Sequence, residues 1–111
     1  MKFETFQENI EKWAEEKGIL DTSSNGQWAQ FSKFKEEVAE FIRAFNEYHY
    51  YPTKENLSHA QDEFGDVMVT AVMVAFTTEI DIEEALDNVW AKISKRKGKT
   101  INGIFVKEED L

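Results

Sequence analysis

Cysteine is absent from the 111 residues of this chain. Disulfides and thiolate chemistry are thereby excluded. Proline occurs once and glycine five times, so there are few places where a helix is forced to stop. No apolar run approaches the roughly 20 residues that would span a bilayer. The opening MKFETFQENIEKW is acidic and lacks the apolar stretch of a secretory leader, so the expected location is the cytoplasm. Positive charge is scarce. Thirteen Lys and Arg stand against 22 Asp and Glu, a net charge of −9. Such a chain repels nucleic-acid backbones and anionic membranes, and neither is an expected partner. There is no phosphate-binding P-loop, no dinucleotide fingerprint and no Ser-His-Asp pattern.

What is present reads as helix. The length suggests one domain over residues 1–111, large enough for a core. Phe3, Phe6, Ile10 and Trp13 recur at three- and four-residue steps and predict a first helix over residues 2–17, with Gly18 as its stop. Residues 21–26, DTSSNG, have loop composition. Trp28, Phe31, Phe34, Val38, Phe41, Phe45 and Tyr48 keep the helical period and predict a second helix over residues 27–50. Trp13 and Trp28 fit these core stripes. Pro52 ends the second helix and Thr53 is a candidate cap for a third over residues 54–79. Residues 67–76 of that helix are uncharged on every side, so they need cover all round, which predicts a homodimer or homotetramer. Asp81, three residues before Glu84, caps a fourth helix. Its buried face is expected to be Ala85, Leu86, Val89, Trp90 and Ile93, its last turn Lys95 to Lys97, and its stop Gly98. Asn102-Gly103 between short apolar pairs predicts a small hairpin. The expected fold class is all-α, a four-helix bundle with a short C-terminal hairpin or tail.

Two acidic segments stand out. Glu36-Glu37-Val38-Ala39-Glu40 falls on the second helix and Glu63-Phe64-Gly65-Asp66 on the third. At about 100° per residue, Glu37 and Glu40 lie roughly 60° apart. His59, Asp62, Glu63, Asp66 and Thr70 form one polar stripe on an otherwise apolar helix. Packing the two helices together would gather Glu37, Glu40, Glu63 and Asp66. Clustered anions repel one another, and a divalent cation relieves that repulsion. Oxygen donors favour Mg²⁺ or Mn²⁺ over softer metals. Either acidic segment alone also fits an ordinary solvated helix face. Five of the 13 basic residues lie between Lys92 and Lys99, where they suit a phosphate-bearing ligand or a helix C-terminus equally well.

The order EExxE then ExxD, here EEVAE from Glu36 and EFGD from Glu63, resembles the MazG-like nucleotide pyrophosphohydrolases. KISKRKGKTINGIFVKEEDL is similar to the C-terminal stretch of phage-type members. The resemblance covers the chain from about Trp28 onward. It implies the all-α pyrophosphatase fold and Mg²⁺ held by Glu37, Glu40, Glu63 and Asp66, with Glu36 orienting or deprotonating the attacking water alongside Glu37. It also implies cleavage of a nucleoside triphosphate to its monophosphate and pyrophosphate. Lys33, Lys92 and Arg96 are candidate phosphate binders, and Gln30 a candidate hydrogen-bonding partner for the base. Two alternatives remain at this point. One is a related enzyme acting on dUTP, dCTP or a phosphoribosyl nucleotide. The other is a non-catalytic acidic binding protein, a DNA mimic or inhibitor, with its carboxylates spread over an exposed surface.

Overall fold

Tyr51-Pro52-Thr53 interrupts the longest helical stretch, and that interruption sets the architecture. The computed structural model describes residues 1–111. Before the break lies α2, Ser24–Tyr50, and after it α3, Lys54–Thr77. Thr53 Oγ1 accepts the Asn56 N–H at 3.1 Å, and the Asn56 side chain donates to the Tyr51 carbonyl at 2.9 Å. These bonds satisfy backbone groups that the helix ends leave over. The short connection turns α3 back along α2. Gln27 Nε2 donates to the Thr77 carbonyl at 3.3 Å, and Phe41 meets Phe64 edge-on at 5.4 Å between ring centroids. Positions rising along α2 thus meet positions falling along α3, as an antiparallel pair requires.

The first helix, α1, spans Phe3–Glu16 and packs on α3. It ends as its glycine predicts. Gly18 takes φ +66, its N–H bonds to Glu15, and the Ile19 N–H reaches back to the Ala14 carbonyl at 3.0 Å. The start of α2 differs from expectation. Residues 21–26 have loop composition, yet the helix begins at Ser24, because that composition also suits a cap. Ser23 Oγ accepts from the Gly26 N–H, and Asp21 Oδ1 accepts from the Ser23 N–H at 2.9 Å. A Cβ on Gly26 would overlap the Asp21 carbonyl oxygen. At its far end α3 stops at Thr77. Glu79 takes φ +59, and the Ile80 N–H bonds to the Ala75 carbonyl at 2.9 Å. Here a glutamate stands where glycine is the usual choice.

The core of this first unit, Met1–Ile80, is built of small and medium side chains. Ala14, Ala44, Ala60, Val72, Met73 and Ala75 are buried, with Thr70 and Thr77 among them. The Thr77 hydroxyl donates to the Met73 carbonyl at 3.0 Å, so its burial leaves no orphan donor. The apolar stretch of α3 is largely covered within one chain. Val67, Met68, Val69, Ala71, Val74 and Phe76 are half-buried and the remaining apolar positions buried. The two tryptophans do not enter the core as their spacing suggests. Trp13 is 42% and Trp28 65% exposed, because Ala14 takes the contact position on α1 and Trp28 lies edge-on against Phe31.

The second unit, Asp81–Leu111, opens with α4, Ile82–Ile93, capped by Asp81 Oδ1 on the Glu84 N–H at 3.1 Å. The helix ends before Lys95 rather than after Lys97, and Gly98 is not its stop. Gly98 opens β1, Gly98–Ile101, which pairs antiparallel with β2, Ile104–Lys107. The hairpin claims this backbone. Gly98 faces Lys107, where a Cβ would overlap the Val106 carbonyl, and the Lys97 carbonyl accepts the Glu108 N–H at 2.7 Å. Asn102 and Gly103 take φ +51 and +79, the two left-handed positions that a tight hairpin turn needs. A single 3-10 turn, Glu108–Asp110, follows. The expected apolar face of α4 is present but not buried. Leu86, Val89, Trp90 and Ile93 are all exposed, Trp90 by 66%. No helix of the chain is long and apolar enough to cross a membrane.

Candidate metal centre

The antiparallel pairing of α2 and α3 brings Glu37 opposite Glu63 and Asp66. Each of the three offers a carboxylate oxygen, and these oxygens lie within 4.8 Å of one another. Glu37 is buried, Glu63 half-buried and Asp66 exposed, so the group forms the inner end of a site that opens to solvent. Three negative charges at this spacing repel by about 3 kcal/mol per pair at an effective dielectric near 20. One cation offsets them locally. Lys33 Nζ lies 3.1 Å from Glu37 Oε1 and 4.0 Å from Glu36 Oε2. The hydrogen bond to Glu37 holds the Lys33 ammonium above its ordinary range, so the lysine stays charged.

Lys33 does not satisfy the group. Glu37 Oε2 and Glu63 Oε2 are buried and have no hydrogen-bond partner. An orphaned buried acceptor costs about 1–3 kcal/mol, more when charged. Two such atoms on facing helices, next to a third carboxylate, fit one hard divalent cation. The donor set is oxygen only, and the chain has no cysteine, which matches Mg²⁺ or Mn²⁺. A hard divalent cation therefore suits the residues that are present.

Other expected site residues fall at graded distances from this group. Glu40 lies one turn beyond Glu37 and is half-buried, outside the close trio. Its carboxyl is pushed above the ordinary range, first by the charge of Glu37, then by burial and by Glu63. It therefore senses the same field. Glu36 is exposed and touches the group only through Lys33. Gln30 is half-buried on α2, one turn before Lys33, with no side-chain hydrogen bond. His59 Nε2 stands 3.8 Å from Glu63 Oε1. It also lines a polar cavity of about 370 Å³ with Glu40, Arg43, Ala44, Glu47 and Glu63. Composition and spacing did not single out Arg43. The available signal was its position at the third residue after Glu40, which puts both on one helix face.

In the second unit, Lys92 and Arg96 line a cavity of about 560 Å³ together with Lys97, Lys107, Glu108 and Glu109. They meet there although only one of them lies on α4. Lys92 is on the last turn of α4, whereas Arg96 lies beyond the helix, its N–H bonded to the Ile93 carbonyl at 3.2 Å. Lys107 joins them because β2 returns beside β1.

The family model described as MazG nucleotide pyrophosphohydrolase domain matches residues 29–101. That span takes in both acidic segments, Gln30, Lys33, Lys92 and Arg96, and ends in the hairpin. Neither the curated proteins nor the solved structures gave a match to the chain.

Proposed function

The chain belongs to the MazG nucleotide pyrophosphohydrolase family, and from that premise we propose that it is a Mg²⁺-dependent enzyme splitting ribo- or deoxynucleoside triphosphates into monophosphate and pyrophosphate. The observation that carries this reading is that Glu37 and Glu63 each keep a partnerless buried oxygen in a group where the carboxylates of Glu37, Glu63 and Asp66 come within 4.8 Å of one another. A resident divalent cation would supply charge neutralisation for the triphosphate and a more acidic bound water. Glu37, Glu63 and Asp66 would hold it, with Glu40 as the fourth ligand.

The residues of the chain account for the remaining tasks. In the overall reaction water adds to the α-phosphorus, the bond to the bridging oxygen breaks, and pyrophosphate departs with that oxygen. Glu36, exposed and 4.0 Å from the Lys33 ammonium, would take a proton from water. Lys33 keeps its charge and offers it to phosphate as well as to Glu37. Lys92 and Arg96, gathered with Lys97 and Lys107, form the other cationic surface that suits phosphate. The exposed apolar residues Leu86, Val89, Trp90 and Ile93 on one helix support a homodimer or homotetramer, in which such a face would be covered. The reading of an acidic DNA mimic requires solvated carboxylates, and the burial of Glu37 weighs against it.

Pyrophosphate release from a panel of ribo- and deoxynucleotides, with and without Mg²⁺, tests the proposal. Mg²⁺-dependent release that is lost in Asp66→Asn supports it. Asp66 is exposed, so that variant should fold. If the wild type hydrolyses no nucleotide in the panel, or does so equally well in a chelator, the proposal is wrong.

A further inference from the structure

We infer that Arg43 binds the two phosphates that leave as pyrophosphate, an inference that rests on the hydrolase reading above. The cavity of about 370 Å³ beside the metal centre is lined by Glu40, Arg43, Ala44, Glu47, His59 and Glu63. Arg43 lies on α2 three residues after Glu40 and four before Glu47. Either glutamate is within ordinary helical reach for an ion pair. Yet the ion pairs of the chain involve Lys33, His59 and Lys107, and none involves Arg43. The guanidinium therefore presents its donors without a carboxylate on them. Lys33, one turn before Glu37 on the same helix, is already engaged by Glu37 at 3.1 Å.

The spacing and the lining both point to phosphate. Along α2, Arg43 is about 9 Å beyond Glu37 and about 4.5 Å beyond Glu40. That is the scale of a phosphate chain running away from a metal-bound end. A guanidinium fork matches two phosphate oxygens at once, which an ammonium does not. The cavity contains no Phe, Tyr or Trp ring, its one apolar side chain is Ala44, and the His59 imidazole is its sole ring. Bases are held against apolar or aromatic walls, so the nucleoside end of the substrate does not belong here. His59 lines the same cavity and is 3.8 Å from Glu63, which gives a second donor on the α3 side.

The test uses the full chain with Arg43→Ala and Arg43→Lys. Arg43 is exposed on its helix, so neither variant should disturb the fold. Calorimetric titration with inorganic pyrophosphate, in the presence of Mg²⁺, should show affinity weakened about 10- to 100-fold in Arg43→Ala, with Arg43→Lys intermediate. Titration with the nucleoside monophosphate product should be unchanged, and so should the rise in melting temperature that Mg²⁺ alone produces. Unchanged pyrophosphate affinity with an intact Mg²⁺ response would overturn the role of Arg43 and leave the hydrolase reading standing. Loss of monophosphate binding alone would overturn it too, by placing the nucleoside end at this arginine. A wild type that neither responds to Mg²⁺ nor releases pyrophosphate would overturn both.

Discussion

Glu63→Gln distinguishes a metal centre from a chance gathering of acids, because the two predict opposite orders of stability in two buffers. In a chelator, the glutamine removes one of three charges whose oxygens lie within 4.8 Å of each other. Each close pair costs about 3 kcal/mol at a dielectric near 20. Asp66 is exposed, so solvent and salt screen its share. The net gain for the metal-free variant is then about 1 kcal/mol, or a melting temperature higher by roughly 4–8 °C for a chain near this size. Mg²⁺ reverses the order. At a hundredfold excess over its dissociation constant, a cation that binds only the folded state adds about 2.7 kcal/mol, roughly 10–20 °C for the wild type. Glu63→Gln should show almost none of that rise. Thermal melts by circular dichroism, with a chelator and then with Mg²⁺, should therefore cross over. Two proteins that shift in parallel on adding Mg²⁺ would refute the reasoning, and so would a wild type that does not shift.

Lys33→Ala should strengthen Mg²⁺ binding severalfold in calorimetry, since the ammonium 3.1 Å from Glu37 Oε1 competes with the cation for that oxygen. The metal-free variant should show a slightly lower urea midpoint, as expected for an exposed ion pair, and unchanged metal affinity would show that Lys33 stands outside the centre. Glu79→Gly should stabilise the chain by about 0.5–1 kcal/mol, because φ +59 strains a side chain that glycine lacks. The looser unfolded chain takes back part of that gain, and a lower urea midpoint would contradict the strain. The pH dependence follows from Glu40, whose carboxyl sits above the ordinary range chiefly because of Glu37. A raised folded-state value means that the metal-free fold holds this proton more tightly than the unfolded chain does. The Glu40 contribution to metal-free stability therefore grows as pH falls through that raised value, while protons displace the cation. The melting shift produced by Mg²⁺ should shrink over the same interval, starting at a higher pH than an isolated glutamate would give. A shift constant down to the ordinary carboxylate range would count against Glu40 as a ligand.

The helices were legible because their punctuation is local. Pro52 and Thr53 mark one break, Gly18 another, and Asp81 with Glu84 a third, each through backbone groups within a few residues. Asn102-Gly103 fixed the hairpin by the same kind of argument. The start of α2 was missed because Ser, Asn and Gly serve loops and caps alike, and only the approach of Asp21 to Gly26 decides between them. The end of α4 was missed because Lys95 to Lys97 are good helix formers overridden by strand pairing from Gly98 onward. At the centre, Glu37, Glu63 and Asp66 could be read from helical angle and the order of the segments. The graded positions of Glu40 and Glu36 could not, since a helical wheel gives direction but not how far a side chain lies from the facing helix. For Arg43 the local signal is only its place on the helix face of Glu40. Its unpaired state depends on where two neighbouring glutamates turn.

The small side chains of the core and the acids of the centre belong to one arrangement. Interaxial distance between packed helices follows the size of the residues at their contact. Ala60 precedes Glu63 by three residues and Thr70 follows Asp66 by four. On the facing helix Ala44 follows Glu40 by four, and all three of these small residues are buried. Glu40, Glu63 and Asp66 thus each have, one turn away, a side chain short enough to let the backbones approach, and Ala44 lies two turns beyond Glu37. Larger residues there would bury more apolar area and stabilise the pair by about 0.8 kcal/mol for each further methylene. They would also hold Glu37 and Glu63 apart. The closeness that leaves Glu37 Oε2 and Glu63 Oε2 without partners is therefore built in by the neighbouring alanines and threonine. It is a cost to the metal-free fold that makes sense where a cation shared between the two helices offsets it.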